Sequence, residues 1–474
     1  MMERIRLELP EANIILREKC YRITRLIYGD SISESIDNRL NKELEAIEKN
    51  DSATIYVIAS DLVKVSKERG YCVTARGPVG SSLVAYLCGL TDVNPMQAHY
   101  VCSNCYHFEK VDIHWNELWN PAVDLERKDC PICGQIMYPD GADILSEVGM
   151  GEKLDNISSI TLNFAPCIRP DIIGYIKERF KEDWIFRAGT IGDNGKSVTT
   201  MGVHPGRIYI VPGCVNLEQY TFLRDCNDEE FSLPVSVKDY HELEDYFLKY
   251  DILVRHELEL LHDLEEATGF RHEYVELSGP EIADVFYTDI YEDVVLYPCS
   301  KELVHKVQPR IFSDFVRLIS FTHAVRVNNT MLDNILKQER SLKEVICCRD
   351  DVIQCLINKG FDHKSAYCIM NYVRKGKRLT DEMVSSMSGA GVPNWCIEDC
   401  NHIRYLYPRS QMMAYMKVYW IIAAYLLYHP QKYKRVFYRW VKKYGNEVCM
   451  INSIQRSLIR LEELSEGAKK TAGI

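Results

Sequence analysis

The chain has 474 residues, with 57 Lys and Arg against 68 Asp and Glu, so its formal net charge is −11. The apolar fraction of 46% and the charged fraction of 26% exclude wholesale disorder, a collagen and a long coiled coil. The acidic balance also excludes a protein that only coats nucleic acid, so any contact with nucleic acid needs local basic patches. The length predicts about three domains or one large multi-lobed domain.

The 18 cysteines suggest at first a secreted disulfide scaffold. However, residues 1–6 lack the apolar core of a signal peptide, so we expect a reducing, cytoplasmic location where cysteines are buried or bind metal. The longest apolar run, Val418–Tyr428, has 11 residues, whereas a membrane span needs about 20. We therefore expect a buried core helix there and no association with a membrane.

Apolar periodicity predicts a mixed α+β fold that is rich in helices after about residue 255. In chain order the predicted elements are amphipathic helices over residues 12–70 with one beginning within 33–37, a short β-branched run at 54–58, a helix capped by Ser60 or Asp61 and running through Val65, a strand at 71–74, a helix from Leu83, and strands at 159–164, 208–211 and 250–253.

Two CxxC pairs, Cys102 with Cys105 and Cys130 with Cys133, are separated by 24 residues within a small inserted module over residues 98–141. Two such turns can supply the four thiolates of a closed tetrahedral site, which is typical of structural zinc. The separation exceeds the usual spacing of about 15–20 residues, and chance pairs or a redox pair remain the alternatives.

The segment Arg76–Ser82 is rich in glycine and lies between a predicted strand and a predicted helix. Backbone N–H groups at a helix N-terminus favour phosphate. The segment has neither the Lys of a P-loop nor the spacing of a dinucleotide fingerprint. The residues alone therefore leave open both an ordinary capped turn and a phosphate site.

Taken together, several segments resemble the PolC-type alpha subunit of bacterial DNA polymerase III, a C-family polymerase, over about residues 20–460. In chain order they are Ala75–Ser82, Asn94–Pro95 and His99–Cys102 of the palm, the paired CxxC motifs, Phe186–Gly192, His204–Gly206, Lys249–Leu253, Cys348–Val352, Val373–Lys377 and Val392–Trp395.

The resemblance implies a C-family polymerase core with palm, thumb, zinc-binding module and helical fingers. We expect the PHP, exonuclease and OB domains of the family to be missing. The expected division is residues 1–97 for palm and thumb helices with the glycine-rich turn, 98–141 for the zinc-binding module, 142–260 for the palm with a shortened fingers insertion, 261–445 for a helical fingers-like region and 446–474 for a C-terminal helix.

The catalytic carboxylates of the family are expected to be incomplete. Its members bind two divalent metals with two Asp at alternate positions of one strand and a third Asp on a neighbouring strand. Ser159 and Thr161 stand at the first two positions, and Asp251 matches the third. Asp155 has the same strand parity as Ser159 but lies roughly 13 Å away along an extended strand, which is too far.

Two further acids, Asp171 and Asp193, could substitute only if the fold happened to bring them to the metal site. Because one carboxylate holds two Mg²⁺ ions poorly, we expect loss of nucleotidyl transfer and a remnant role for Asp251. Magnesium is therefore expected only if the protein is active.

The resemblance also implies contacts with the nucleotide phosphates and with DNA. The implied phosphate-binding residues are Arg76, Gly80, Ser81, Ser82, Arg187 and His204. This sequence departs from the family pattern at Pro78, where a Ser is usual, and at Arg207, where a Gly follows the His-Pro-Gly turn.

Two basic patches are the candidates for DNA binding, since cations neutralise phosphates and interleaved aromatic residues can stack on bases. Their candidate residues are Arg374, Lys375, Lys377 and Arg378 in a predicted loop, and Lys434, Arg435 and Arg439 in a predicted helix. The alternative is a solvated helix face with its aromatic residues packed inward. The scattered histidines form no catalytic cluster in the sequence.

The leading hypothesis is a catalytically defective PolC-like protein that retains a zinc-stabilised core and contacts DNA, deoxynucleotides or replisome proteins. The first alternative is an active minimal DNA polymerase with an atypical metal site. The second is a protein-interaction decoy that binds no nucleic acid. A fold resemblance does not carry function by itself when the site is changed.

Overall fold

The computed structural model describes most of the chain. The described residues are 9, 11–112, 118–148, 159–180, 184–192, 200–211, 215–225, 232–243, 246–288, 297–324, 337 and 341–444. The predicted C-terminal helix at 446–474 lies outside them, as do Asp155 and Asp193. The predicted α+β class is confirmed by two sheets and a large set of helices.

Eleven strands are present in the described residues, and they form two sheets. They are β1 Thr74–Arg76, β2 His99–Val101, β3 Phe108–Lys110, β4 Lys128–Asp129, β5 Ile136–Asp140, β6 Ser159–Phe164, β7 Ile185–Gly192, β8 Thr200–Ile210, β9 Leu223–Arg224, β10 Val235–Asp239 and β11 Leu248–Val254. The main sheet has the order β1-β6-β11-β8-β7-β10-β9, and the module of the CxxC pairs has the order β3-β2-β5-β4. The strands predicted near 159–164, 208–211 and 250–253 are confirmed.

The helices surround the main sheet and form a separate lobe towards the C-terminus. They are α1 Ala12–Tyr28, α2 Glu34–Lys49, α3 Ala53–Glu68, α4 Leu83–Leu87, α5 Arg169–Phe180, α6 Tyr240–Leu243, α7 His256–Thr268, α8 Pro280–Val285, α9 Lys301–Val307, α10 Phe312–Ala324, α11 Arg349–Asn358, α12 His363–Val373, α13 Asp381–Gly389, α14 Asn394–His402, α15 Arg409–Tyr428 and α16 Pro430–Tyr444.

Helix α3 corrects one prediction from the sequence. The β-branched run 54–58 is not separate from a helix that Ser60 or Asp61 caps, because one helix begins at Ala53 and continues through the run. Tyr56 and Ile58 are almost fully buried, and the hydroxyl of Tyr250 on β11 donates to the carbonyl of Ile55 at 3.0 Å. Packing against the sheet therefore overrides the local β propensity.

One face of the main sheet is the apolar core. Ile160, Ile208, Tyr250 and Ile252 all belong to it and are at most 1% exposed. Alternate residues of a strand point to opposite faces, so the intervening residues of β6, β8 and β11 share the other face. That second face carries the candidate site.

The C-terminal helical lobe has a hydrophobic core of its own, formed largely by α11, α12, α13 and α14. Helix α15 contains the longest apolar run, and its residues pack in the main core, as predicted from the sequence. Within the described residues, no helix has the length and apolarity needed to cross a membrane.

Candidate functional site

Four adjacent strands align four residues across the second face of the sheet. Arg76 on β1 lies opposite Thr161 on β6, Thr161 lies opposite Asp251 on β11, and Asp251 lies opposite Arg207 on β8. Directly opposed residues point to the same side of a sheet, so these side chains form a row. Lys249, which is 1% exposed, lies two residues before Asp251 and opposite Ser159.

Asp251 is buried and fully engaged by its neighbours. Its two carboxylate oxygens accept hydrogen bonds from Nε of Arg207 at 2.6 Å and from Nη2 of the same residue at 2.8 Å. The hydroxyl of Thr161 donates to Oδ2 at 3.0 Å. The bidentate ion pair is the strongest form of carboxylate–guanidinium contact. Asp251 is therefore a buried and hydrogen-bonded acid.

Arg207 is held from several sides. Its backbone N–H donates to Nδ1 of His204 at 2.9 Å, and its guanidinium lies over the ring of Tyr240, 4.7 Å from the ring centroid. A Cβ built on Gly206 would lie 2.4 Å from the carbonyl oxygen of Ile252, so only glycine allows β8 to approach β11 this closely. The turn thus positions Arg207 on Asp251.

The electrostatics of the row favour an ionised Asp251. Burial raises the pKa of this carboxyl, but the hydrogen bonds and charge of Arg207 outweigh that effect and, with His204 and Thr161, lower the pKa below its ordinary value. Burial lowers the pKa of His204, and the charges of the nearby arginines lower it further. The charge of Asp251 raises this pKa and only partly offsets them. The imidazole is therefore neutral at pH 7.

The residues of the row do not fit a pair of divalent metal ions. Mg²⁺ prefers oxygen ligands, chiefly carboxylates, and the row contains one carboxylate whose oxygens already accept three hydrogen bonds. Arg207 and Lys249 also place two positive charges on the same face. Of the two possible substitutes, Asp171 lies on α5 and pairs with Arg69 at 3.5 Å, and Asp193 lies outside the described residues.

The glycine-rich turn is supported from inside the protein. Ser82 caps α4 by accepting from the N–H of Ala85 at 3.1 Å, and its hydroxyl donates to Glu43 at 2.7 Å. The N–H of Val84 also donates to Glu43, and the hydroxyl of Ser81 donates to the carbonyl of Pro78. Both serines are fully buried. The capped turn expected as one alternative is present, and phosphate binding by Gly80, Ser81 and Ser82 stays a prediction.

The remaining predicted phosphate ligands lie at different depths. Arg76 is exposed at the end of β1, whereas Arg187 on β7 is 5% exposed. His204 is half-buried, and its ring lies 5.1 Å from that of Tyr240. The charges of Arg76, Arg187 and Arg207 all act on His204. These residues therefore form one cationic region beside Asp251.

The two CxxC pairs converge as predicted. The sulfurs of Cys102 and Cys133 are 3.5 Å apart, those of Cys105 and Cys130 are 3.6 Å apart, and all four lie within 4.8 Å of one another. Tetrahedral zinc with bonds of about 2.3 Å would separate the sulfurs by about 3.8 Å. The cysteines are free thiols rather than disulfides. The cluster could hold a metal ion.

The predicted DNA-binding residues form two surfaces. The loop patch is Lys375, Lys377 and Arg378, all exposed, with Arg374 half-buried beside them. The helix patch is Arg435 and Arg439, both exposed, with Lys434 half-buried, on α16. Of the four interleaved aromatic residues, Tyr433, Phe437 and Trp440 are buried and therefore unable to stack on bases. Tyr438 is exposed.

Comparisons with known proteins agree on one family. A family model described as the bacterial DNA polymerase III alpha NTPase domain matches residues 14–199. The DNA polymerase III PolC-type of Caldanaerobacter subterraneus subsp. tengcongensis is 33% identical over 462 aligned residues, which cover 87% of this chain. The chain is a PolC-like homologue of the DNA polymerase III alpha subunit. The PolC-type proteins of Thermotoga maritima and Staphylococcus epidermidis are 30% and 31% identical, over 98% and 90% of this chain.

The PolC homologue spans about a third of the length of these relatives, with 33% of the first and 37% of the Thermotoga protein covered. Sequence reasoning identified Arg207 as a departure from the family pattern but missed its pairing with Asp251. The signal was a charged residue in place of glycine, and its partner became visible only once the register of β8 and β11 was known.

Removing Arg207 is expected to destabilise the PolC homologue. Arg207→Met would leave Asp251 as a buried carboxylate without its counter-charge, which costs about 3–5 kcal/mol. Thr161→Val removes one hydrogen bond to the same carboxylate and is expected to cost about 1–3 kcal/mol. Urea denaturation followed by tryptophan fluorescence would measure both changes. Equal stability of Arg207→Met and the natural protein would show that the ion pair is not structural.

Proposed function

We propose that this protein is a catalytically defective polymerase core that retains a zinc-stabilised fold and binds DNA. The observation that carries the first part is the Arg207–Asp251 ion pair. It places an arginine on the carboxylate that a polymerase would use to bind a divalent metal, and the residue opposite Asp251 on β6 is Thr161 rather than a carboxylate.

The chemical consequence follows from what nucleotidyl transfer needs. Two divalent metals normally activate the primer 3′ hydroxyl and neutralise the charge that develops on the triphosphate. A guanidinium can neutralise charge, but it has no open coordination position and does not lower the pKa of a hydroxyl as a bound metal does. The row therefore lacks the metal ligands that the transfer of a nucleotide needs.

Primer extension tests this proposal directly. Purified full chain would be incubated with a labelled primer–template, all four deoxynucleotides and either Mg²⁺ or Mn²⁺. We expect no extension above that of a buffer control. Templated extension that disappears in Asp251→Asn would overturn the defective site and establish the minimal-polymerase alternative.

The proposed DNA contact rests on the exposure of the loop patch. Helix α12 ends at Val373, and Gly376 follows in the left-handed region with φ +69°, where a Cβ would lie 2.4 Å from the carbonyl oxygen of Arg404. This tight turn holds Lys375, Lys377 and Arg378 out in solvent. Exposed cations in a fixed loop are suited to phosphate oxygens, so this surface supports binding of the nucleic-acid backbone.

Salt dependence would test the loop patch. Replacing Lys375, Lys377 and Arg378 together by Ala should weaken DNA binding and reduce the slope of log K against log salt by about 2–3, since each phosphate contact contributes about 0.9. Fluorescence anisotropy with a labelled duplex would measure both quantities at several salt concentrations.

A matched control removes the same charge elsewhere. Lys42, Lys64 and Lys306 are exposed lysines outside both patches, and their replacement by Ala should leave the slope within the error of the natural protein. Equal effects of the two triple variants would mean that only net charge matters. No binding of the natural protein at low salt would favour the protein-interaction decoy.

A further inference from the structure

A cysteine, a histidine and a glutamate meet at the surface on the side of helix α7. Sγ of Cys72 lies 3.2 Å from Nε2 of His272, and Nδ1 of His272 forms a short contact with Oε2 of Glu265. Cys72 precedes β1 and is 200 positions from His272 in the sequence. A thiol, an imidazole and a carboxylate in this order form the nucleophile, base and orienting group that covalent catalysis uses.

The local backbone explains why His272 returns to Glu265. Helix α7 ends at Thr268, and Gly269 has a φ of 71°, which reverses the chain. The N–H of Phe270 donates to the hydroxyl of Thr268 at 3.1 Å, and the carbonyl of Phe270 accepts from the hydroxyl of Tyr425 on α15 at 2.6 Å. These bonds fix the turn, so the imidazole is held in place rather than free to rotate away.

The hydrogen bonds determine which ring nitrogen can act as a base. A carboxylate only accepts, so Nδ1 of the neutral imidazole carries the proton that points to Glu265. This leaves the lone pair of Nε2 directed at the sulfur of Cys72. The side chains of His272 and Glu265 are 24% and 26% exposed, and Cys72 is half-buried. A small molecule can therefore approach the group.

The thiol needs this base. Burial, with the charges of Asp92, Glu265 and Glu273, raises the pKa of Cys72 to about 12, and Lys67 opposes them only in part. The sulfur consequently keeps its proton at neutral pH unless a neighbouring group removes it as the reaction proceeds. His272 is the basic group within hydrogen-bond distance of the sulfur.

A cavity lies beside Glu273, the residue after His272, although Cys72, His272 and Glu265 are not among the residues that line it. It has a volume of about 580 Å³ and is lined by Asp92 and Glu273, whose charges also act on Cys72. Val275, Leu277 and Met413 give it an apolar wall. The cavity is therefore suited to a small molecule with an apolar part.

We propose that Cys72 is a nucleophilic thiol, activated by His272 and positioned by Glu265, and that it is a site of covalent modification by carbon electrophiles. Iodoacetamide illustrates the step. The sulfur forms a bond to the methylene carbon, the carbon–iodine bond breaks, iodide leaves with the electron pair, and the thiol proton passes to Nε2 of His272. This site is independent of the Arg207–Asp251 row and of the function proposed above.

Alkylation rates measured cysteine by cysteine would test the inference. The folded full chain would be treated with iodoacetamide near pH 7, quenched at intervals and mapped by peptide mass spectrometry. Cys72 is expected to react faster than Cys368, although Cys368 is exposed on α12 and Cys72 is half-buried. In His272→Gln, the rate at Cys72 should fall at least about tenfold, because general-base catalysis contributes about 10²–10⁴-fold.

Cys368 is the internal control, because its rate should be the same in every variant. Glu265→Gln tests the positioning role: without the carboxylate that holds Nδ1 of His272, the rate at Cys72 should fall, but by less than in His272→Gln. Slower alkylation of Cys72 than of Cys368 in the natural protein would overturn the proposal. So would an unchanged rate at Cys72 in His272→Gln.

Discussion

Restoring the two missing carboxylates is not expected to restore metal binding by itself. In Ser159→Asp with Thr161→Asp, the new Asp at 161 would lie opposite Asp251, whose neighbour on the other side is Arg207. The arginine would then compete with a metal ion for the same oxygens. Only a further Arg207→Gly change removes this internal cation and returns the glycine that the family pattern has at this place.

The triple variant should bind Mn²⁺ at least about tenfold more tightly than the double variant, a difference of about 1.4 kcal/mol. Electron paramagnetic resonance of free Mn²⁺ would measure this affinity, and primer extension would show whether chemistry returns. Adding Asp251→Asn to the triple variant is the control that should abolish both. Equal Mn²⁺ affinity of the double and triple variants would contradict the role given to Arg207.

Loss of the cysteine cluster is expected to have the largest effect on stability. The hydrophobic cluster around the CxxC pairs has four buried residues, Tyr100, Cys102, Cys130 and Met137, and two of these are cysteines of the pairs. So small a core cannot stabilise a module without a metal or a disulfide. Structural zinc contributes about 10–16 kcal/mol to the folding of comparable small domains.

We therefore expect one equivalent of zinc in the purified protein and none in Cys130→Ser with Cys133→Ser. Elemental mass spectrometry would measure the metal, and a thermal shift assay would show a markedly lower unfolding temperature for the variant. Cys167→Ser with Cys368→Ser, which changes two exposed cysteines, is the control and should keep both the metal and the stability. A metal-free natural protein of unchanged stability would contradict the prediction.

The destabilisation should extend beyond the module. Tyr106 follows the first CxxC pair and lies between β2 and β3. Its ring packs against Gly29, where a Cβ would lie 2.8 Å from the ring. The hydroxyl of Tyr28 contacts Nε2 of His99 at 3.3 Å and accepts from the amide of Asn94 at 2.9 Å. The end of helix α1 therefore packs against the module, and we expect loss of the metal to weaken this contact.

The sequence predicted those parts of the molecule that depend on local pattern or on motif order. The strand at 159–164, the helix from Leu83 and the convergence of the CxxC pairs follow from such signals. The start of helix α3 was mispredicted, because burial against the sheet decides the conformation of residues 54–58. The contact between Cys72 and His272 was not predicted, because the two residues are 200 positions apart in the sequence. Spacing in a sequence does not indicate such a contact.

The Arg207–Asp251 pair has a consequence for how the sheet assembles. Slipping β8 by one residue against β11 would turn Arg207 towards the apolar side, among Tyr250 and Ile252, and would leave two buried charges apart. Alignments other than the native one are therefore strongly penalised. The ion pair thus favours one strand pairing during folding, and this preference needs no metal ion.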